Sequence, residues 1–182
     1  MKVIYGMVFS LVAGFILGWI LVKVVKLIFG RVSLVAGNQI CLVLQDILAA
    51  ILAGLHGAQD GQKFMAIAIM GISLVLGNGD ALSGNVESFP LWLMLICSLA
   101  MAFGTLLGGK RIIKSVAMDM VKLEKFQGLA TSLSTATMLL IATFTGMPVS
   151  TSHCNTSSIM GVGSEKNIKN VNWPVAGNMV LA

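Results

Sequence analysis

The sequence predicts an all-α integral membrane protein, and its composition and hydropathy pattern support that class. Hydrophobic residues make up 57% of the 182 residues and charged residues only 10%, and the mean hydropathy is +0.92. A soluble globule of this size has too much surface to be covered by so few polar side chains. The apolar residues also form long runs separated by short charged segments, which is typical of membrane-spanning helices.

The net charge of +5 does not indicate a nucleic-acid partner, because the basic residues gather in short segments between apolar runs. Cys41, Cys97 and Cys154 show no CxxC spacing, so neither a disulfide framework nor a zinc site is expected. The partner that the composition predicts is the lipid bilayer.

The first predicted span covers about residues 3–29 and ends near Lys23 and Lys26, whose long side chains can reach one membrane interface. It is too long for the apolar part of a signal peptide and reads as a mature transmembrane helix. Gly14 and Gly18 form a GxxxG pair, which permits the close approach of another helix.

The second apolar run, about residues 40–77, is interrupted by the octapeptide His56-Gly-Ala-Gln-Asp-Gly-Gln-Lys63. A lysine or aspartate at the centre of a membrane helix costs roughly 2.5 to 3.5 kcal/mol. The run is also longer than the about 20 residues that one helix needs to cross the hydrocarbon core. We therefore predict a discontinuous span, broken at 56–63 near the bilayer midplane.

The next predicted span is 91–107, followed by a basic segment at 109–125. The positive-inside rule places this segment and the one around Arg31 in the cytoplasm, and places the acidic loop 78–90 outside. These assignments agree only if the run 40–77 crosses the membrane once in net terms.

A further span is predicted at 126–146, with serine and threonine hydroxyls that are mostly structural. Pro148 interrupts it, and Ser150, Thr151 and Ser152 are suitable N-caps for a re-entrant segment or half-helix over 148–163. The last span, 171–182, is too short to cross the membrane. With no linker in the chain, residues 1–182 are predicted to form a single transmembrane domain.

Two breaks at membrane depth predict a shared polar cavity, since irregular backbone is tolerated only where it is buried in protein or lines a cavity. Each half-helix would present an N-terminus, which attracts anions. The amides of Gln59 and Gln62 and the hydroxyls of Ser150, Thr151 and Ser152 would add hydrogen bonds to an oxyanion. Asp60 is negatively charged and would repel an anion, so it is predicted to bind Na⁺ or to accept a proton. Such a role implies co-transport of a cation with the anion.

Other residues near the breaks allow more than one interpretation. Lys63 is either a phosphate contact or a solvated or ion-paired lysine. His56, four residues before Asp60, either orients that carboxylate or serves in proton relay or metal binding. His153 beside three hydroxyls suggests a serine hydrolase, but no nucleophile-elbow pattern surrounds any of these serines, and no enzyme is predicted.

Several motifs, taken together and in order, resemble a known family. They are the octapeptide His56–Lys63, Gly108-Gly-Lys-Arg-Ile-Ile113, Pro148-Val-Ser-Thr-Ser-His153 and Ile159-Met-Gly-Val-Gly163. Over about residues 39–182 the chain is similar to the second half of the inorganic phosphate transporter (PiT) family. The resemblance implies a multi-pass protein of the plasma membrane that moves phosphate by alternating access, coupled to Na⁺ or H⁺, with no other cofactor. It also implies an inverted-repeat transporter in which each repeat carries one polar break.

The chain departs from that family in two respects. Gln59 stands where the family usually has asparagine, which is one methylene shorter. Only one copy of each break is present, so a second repeat or a second copy of the chain is expected to complete the site. A sulfate permease and a non-transporting membrane subunit or fragment remain alternatives.

Overall fold

The computed structural model describes residues 2–30, 34–76, 91–114, 120–121, 123–146 and 149–181. Within these ranges the chain forms α-helices, a short 3-10 turn at Ile168–Asn170 and no strand. In chain order the helices are α1 (Lys2–Phe29), α2 (Leu34–Leu76), α3 (Leu91–Lys114), α4 (Lys125–Thr145), α5 (Thr151–Gly163) and α6 (Trp173–Leu181).

Four helices of the described ranges are long and apolar enough to cross a membrane. These stretches are Tyr5–Phe29, Gln39–Ile72, Leu91–Gly109 and Lys125–Thr145. The predicted class, an all-α multi-pass membrane protein, is therefore confirmed. The predicted spans 3–29 and 126–146 correspond closely to α1 and α4, whereas α3 continues beyond the predicted end at 107 into the basic segment, as far as Lys114.

The predicted break at 56–63 is wrong, because α2 runs without interruption from Leu34 to Leu76. The octapeptide contains no proline, so each of its residues can donate a backbone hydrogen bond, and a glycine costs only about 1 kcal/mol relative to alanine. Its polar side chains are also compatible with a helix. Polar residues within an apolar run therefore did not mark the end of a helix. Of the two predicted breaks, the structure contains only the one after α4.

The chain divides into two compact units, Met1–Leu55 with Arg111–Ala182 and His56–Lys110. The prediction of a single transmembrane domain over 1–182 stays a prediction. In the second unit, α3 exposes large apolar side chains from Leu91 (72% exposed) to Leu107 (87% exposed). Such a helix can be stable only where lipid or further protein covers it.

The first unit is built on close contact between α1 and α5. A Cβ atom at Gly14 would overlap the Ser157 hydroxyl, and one at Gly18 would lie 2.5 Å from the carbonyl oxygen of Ser158. On the α5 side of the same contact, a Cβ at Gly161 would overlap the carbonyl oxygen of Phe15 in α1. The GxxxG pair at residues 14 and 18 therefore serves helix packing, as predicted.

Buried hydroxyls join α1, α4 and α5 where these helices meet. Ser157 Oγ donates to the carbonyl oxygens of Ser10 at 3.2 Å and Cys154 at 3.0 Å. Ser134 and Ser158 share a hydrogen bond of 3.0 Å. Because water cannot satisfy polar groups in the bilayer core, these bonds let the helices bury hydroxyls without leaving them unpaired.

Two ion pairs join helix ends at one side of the first unit. Lys26, near the end of α1, pairs with Glu165, just after α5, at 3.1 Å. Lys166 pairs with Glu124, the N-cap residue of α4, at 2.7 Å, and this hydrogen bond and charge raise the pKa of Lys166.

The end of α1, the start of α4 and the end of α5 therefore lie on the same side of the unit. This agrees with the predicted cytoplasmic position of the two basic segments, around Arg31 and at 109–125. Arg31, most of 115–122 and the acidic loop 78–90 lie outside the described residues.

Candidate functional site

The turn between α4 and α5 is a break that the sequence predicted. α4 ends at Thr145, and Gly146 follows with a φ of 62°, the left-handed conformation that glycine adopts without strain. α5 begins at Thr151 with Ser150 as its N-cap and reaches Gly163. The half-helix thus has one of the three predicted N-caps, Ser150, and ends at the predicted Gly163, while Pro148 lies outside the described residues.

Ser150 caps α5 with both its side chain and its backbone. Its Oγ accepts a hydrogen bond from the backbone N–H of His153 at 3.4 Å, and its carbonyl oxygen accepts one from the N–H of Cys154 at 3.0 Å. The first N–H groups of a helix have no partner within the helix and give its start a partial positive charge. The α5 N-terminus therefore offers an electropositive, hydroxyl-bearing surface.

α5 is too short to cross the hydrocarbon core of a membrane. Its 13 residues cover about 20 Å, whereas the 21 residues of α4 cover about 30 Å, the thickness of a hydrocarbon core. α4 begins and α5 ends at the same side, because Glu124 and Lys166 pair there. The start of α5 is thus about 20 Å from that side of the first unit.

The structure brings the four predicted side chains of this half of the site into one turn. Thr151 is buried, with 3% of its surface exposed. Ser150 and His153 are half-buried, and Ser152 is exposed. The exposed and half-buried hydroxyls can accept or donate hydrogen bonds to a ligand, whereas Thr151 in this conformation is covered by protein.

An apolar cluster holds the turn between α4 and α5 in position. Its buried members are Met138, Leu139, Ala142, Val149 and Cys154, and the side chains packed against them are Ala13, Leu17, Leu52 and Leu55. Residues of α1, α2, α4 and α5 thus contribute to it. The start of α5 is therefore supported by three other helices of the first unit rather than by its own loop.

Two polar residues of the first unit make contacts between helices that the sequence did not predict. The Oδ1 of half-buried Asn155, in α5, accepts a hydrogen bond from the Thr135 hydroxyl at 3.4 Å. Gln45 of α2 packs on α4, where a Cβ at Gly128 would overlap its Nε2 atom.

The octapeptide lies in the second unit, on the helical part of α2 that begins at His56. Gln59 is buried, with 9% of its surface exposed, His56 is half-buried and Gln62 is exposed. Lys63 Nζ lies 3.0 Å from Asp60 Oδ1, and the side chains of Lys63 and Asp60 are 42% and 23% exposed. Of the two interpretations of Lys63, the ion pair is the one present in this conformation.

Helical geometry also places His56 and Asp60, four residues apart, on the same face of α2. Among the described residues, no group of three or more His, Cys, Asp and Glu side chains lies close enough together to hold a metal ion. A Na⁺ at Asp60 would therefore need carbonyl, hydroxyl or amide oxygens as its other ligands.

Comparison with known proteins gives a consistent result. Residues 33–182 match the phosphate transporter family. A probable low-affinity inorganic phosphate transporter of Bacillus subtilis (strain 168) is 37% identical over 180 residues, which cover 99% of this chain and 53% of the relative. A protein of the same description from Rhizobium meliloti (strain 1021) is 37% identical over 169 residues, 93% of this chain and 49% of the relative.

A more distant relative is the sodium-dependent phosphate transporter 1-B of Xenopus laevis. It is 28% identical over 139 residues, which cover 76% of this chain and 20% of the relative. No solved structure matches the chain. The chain spans about half the length of the two bacterial relatives.

Proposed function

Because the chain belongs to the phosphate transporter family, we propose that it forms part of a secondary transporter that moves inorganic phosphate together with Na⁺ or a proton. The transport occurs by alternating access across the plasma membrane. Phosphate is the substrate that the names of the bacterial relatives specify, and a sodium-dependent relative supports a coupling cation.

The start of α5 is the observation that supports this proposal most strongly. A helix N-terminus about 20 Å from the membrane side where α5 ends, capped by Ser150 and bordered by exposed Ser152, suits a tetrahedral oxyanion. Backbone N–H groups and hydroxyls bind such an anion without adding full positive charges to the membrane interior. We assign Ser150, Thr151 and Ser152 to the phosphate oxygens, with His153 in a supporting role; Thr151, which is covered by protein in this conformation, would reach phosphate only in another conformation of the transport cycle.

The octapeptide supplies the second group of ligands in this proposal. Gln59 and Gln62 would donate amide hydrogen bonds to phosphate, and Asp60 would bind the coupling cation, with His56 and Lys63 in supporting roles. A carboxylate in a membrane helix is costly, and such residues usually belong to substrate or ion pathways. Gln59, one methylene longer than the family's usual asparagine, would bring its amide closer to the ligand.

A complete transporter needs more protein than this chain provides. The chain spans about half the length of its bacterial relatives, and we propose that a second, inverted repeat or a second copy of the chain supplies the opposite half of the site. The exposed apolar surface of α3 supports this, since further protein can cover it as well as lipid.

Uptake of radiolabelled phosphate into vesicles that contain the complete protein tests the function. We expect a Na⁺ or proton gradient to drive accumulation in the wild type, and Asp60→Asn to abolish that dependence on the cation. Asp46→Asn is the matched control, because Asp46 is an exposed aspartate of the same helix outside the octapeptide. Unchanged, cation-driven uptake by Asp60→Asn would remove Asp60 from the proposed role.

The same vesicles distinguish the alternatives. Competition of phosphate uptake by excess sulfate, measured across pH, separates a phosphate transporter from a sulfate permease, because the two ions differ in charge and protonation near neutral pH. If the complete protein accumulates neither ion under any cation gradient, the interpretation as a non-transporting subunit is supported instead.

A further inference from the structure

The ion pair between Asp60 and Lys63 joins the proposed coupling-ion ligand to a second cation on the same helix. Their 3.0 Å separation is that of a charge-assisted hydrogen bond. The two residues are three apart on α2, so their side chains share one helical face. The carboxylate assigned to the coupling ion is therefore already balanced by a positive charge that belongs to the protein.

We propose that Lys63 is a tethered competitor of the coupling ion: it occupies the cation position at Asp60 when Na⁺ is absent and turns to the phosphate oxygens when Na⁺ binds. This inference rests on the proposed function and adds to it an order of binding, Na⁺ first and phosphate second.

The electrostatics of the pair require the exchange. A Na⁺ that binds the Asp60 carboxylate meets an ammonium group of the same sign within contact distance, and like charges so close repel even for a partly exposed pair. Na⁺ binding therefore favours departure of the Lys63 ammonium. Conversely, while Lys63 holds the carboxylate, the affinity of the site for Na⁺ is reduced.

The exposures of the two side chains allow this movement. The Lys63 side chain is 42% exposed and that of Asp60 is 23% exposed, so the ammonium group can leave the carboxylate without crossing a packed core. A lysine side chain is flexible and acts as a mobile point charge for phosphate. Gln62, which precedes it, is also exposed.

The exchange gives a physical reason for coupling. Without Na⁺, Lys63 neutralises Asp60, and phosphate meets a site that lacks a free positive charge. With Na⁺ bound, the Lys63 ammonium is released from Asp60 and can bind the anion. The total charge of the loaded site stays small. A purely structural ion pair one turn apart on a helix would stabilise the helix only slightly and would not link the two affinities.

Kinetics of labelled phosphate uptake by the complete protein in vesicles test the proposal. Removal of the ammonium in Lys63→Gln is expected to lower the Na⁺ concentration for half-maximal uptake about fivefold, because the competitor is lost. The same change is expected to raise the KM for phosphate about tenfold, because a charged contact is lost. The opposite directions of the two shifts are the signature of exchange.

Two further variants make the result specific. Lys125→Gln removes an exposed lysine of α4 that is not part of the proposed site, and it is expected to change both constants by less than about twofold. Lys63→Arg keeps the charge and is expected to hold Asp60 more firmly through its two-pronged guanidinium group. It should therefore raise the half-maximal Na⁺ concentration.

The proposal is overturned if Lys63→Gln leaves the half-maximal Na⁺ concentration unchanged or raises it, or if wild-type uptake does not depend on Na⁺. If Lys63→Gln does not accumulate in the membrane, Lys63→Arg provides the test. A half-maximal Na⁺ concentration of Lys63→Arg that is unchanged or lower than that of the wild type overturns the proposal. Absence of any phosphate uptake by the wild type is a different outcome, because it contradicts the proposed function itself.

Discussion

The Ser157 hydroxyl of α5 lies 3.2 Å from the carbonyl oxygen of Ser10 in α1. The bond is buried, and the same serine fills the space that a side chain at Gly14 would need. α1 and α5 are thus held at a distance that only small residues permit. Since α5 carries the proposed phosphate ligands at its N-terminus, the position of that site depends on packing along the rest of the half-helix.

Gly161 gives the most direct test of this packing. A Cβ there would overlap the carbonyl oxygen of Phe15, a backbone atom that cannot rotate away. Gly161→Ala is expected to lower the free energy of unfolding by about 1 to 3 kcal/mol, measured as a lower thermal unfolding temperature in detergent. Gly104→Ala is the control, because a Cβ at that position meets nothing within 4 Å. Equal stability of the two variants would contradict the close contact.

The Glu124–Lys166 pair predicts an alkaline dependence of stability. Glu124 raises the pKa of Lys166 above its ordinary value of 10.5. A raised pKa in the folded state means that the stabilisation is fully present below the unfolded pKa and is lost as the pH rises through the folded value. The difference in unfolding temperature between wild type and Glu124→Gln is therefore expected to shrink as the pH rises above the ordinary lysine value of 10.5.

The effect should be small, because both side chains of the pair are about half exposed, 46% for Lys166 and 53% for Glu124. Lys169→Gln serves as a control that removes an exposed lysine from the same segment. A difference between wild type and Glu124→Gln that stays constant up to pH 12 would show that the pair does not stabilise the fold.

Hydrophobic runs and capping residues predicted most of the helices because both signals are local. Apolar length determined α1 and α4, and Ser150 indicated the start of α5 through a side chain that can bond its own helix end. The GxxxG pair predicted a close helix neighbour for α1, but α5 as that neighbour followed only from the fold. Contacts between helices depend on residues far apart in the sequence, which no local pattern encodes.

The error at 56–63 has an equally physical cause. The cost of Asp60 and Lys63 in a membrane was taken to imply irregular backbone, yet the two side chains pair across one helical turn at 3.0 Å without interrupting α2. Likewise, Asn155 was not predicted as a site residue because its hydrogen-bond partner Thr135 lies on another helix. Polar residues in a membrane segment therefore do not by themselves indicate irregular backbone.

Ser150 allows helix capping and anion binding to be separated by substitution. Ser150→Asn and Ser150→Asp both keep an oxygen that can accept from the N–H of His153, so both are expected to retain the thermal stability of the wild type to within about 1 kcal/mol. Ser150→Asp places a negative charge against the proposed phosphate position. Its uptake of labelled phosphate is expected to fall at least about tenfold below that of Ser150→Asn. Equal uptake by the two variants would place the phosphate elsewhere.

Substitutions at Gly57 and Gly61 test whether the octapeptide is helical. In a continuous α2, a Cβ at either position meets no other atom within 4 Å, so replacement by alanine removes the entropic disadvantage of glycine in a helix. Each of Gly57→Ala and Gly61→Ala is expected to stabilise the protein by about 0.5 to 1 kcal/mol, measured by thermal unfolding in detergent. At a true break the glycines would adopt left-handed backbone, and alanine would destabilise instead. Lower unfolding temperatures for both variants would therefore contradict the uninterrupted helix from Leu34 to Leu76.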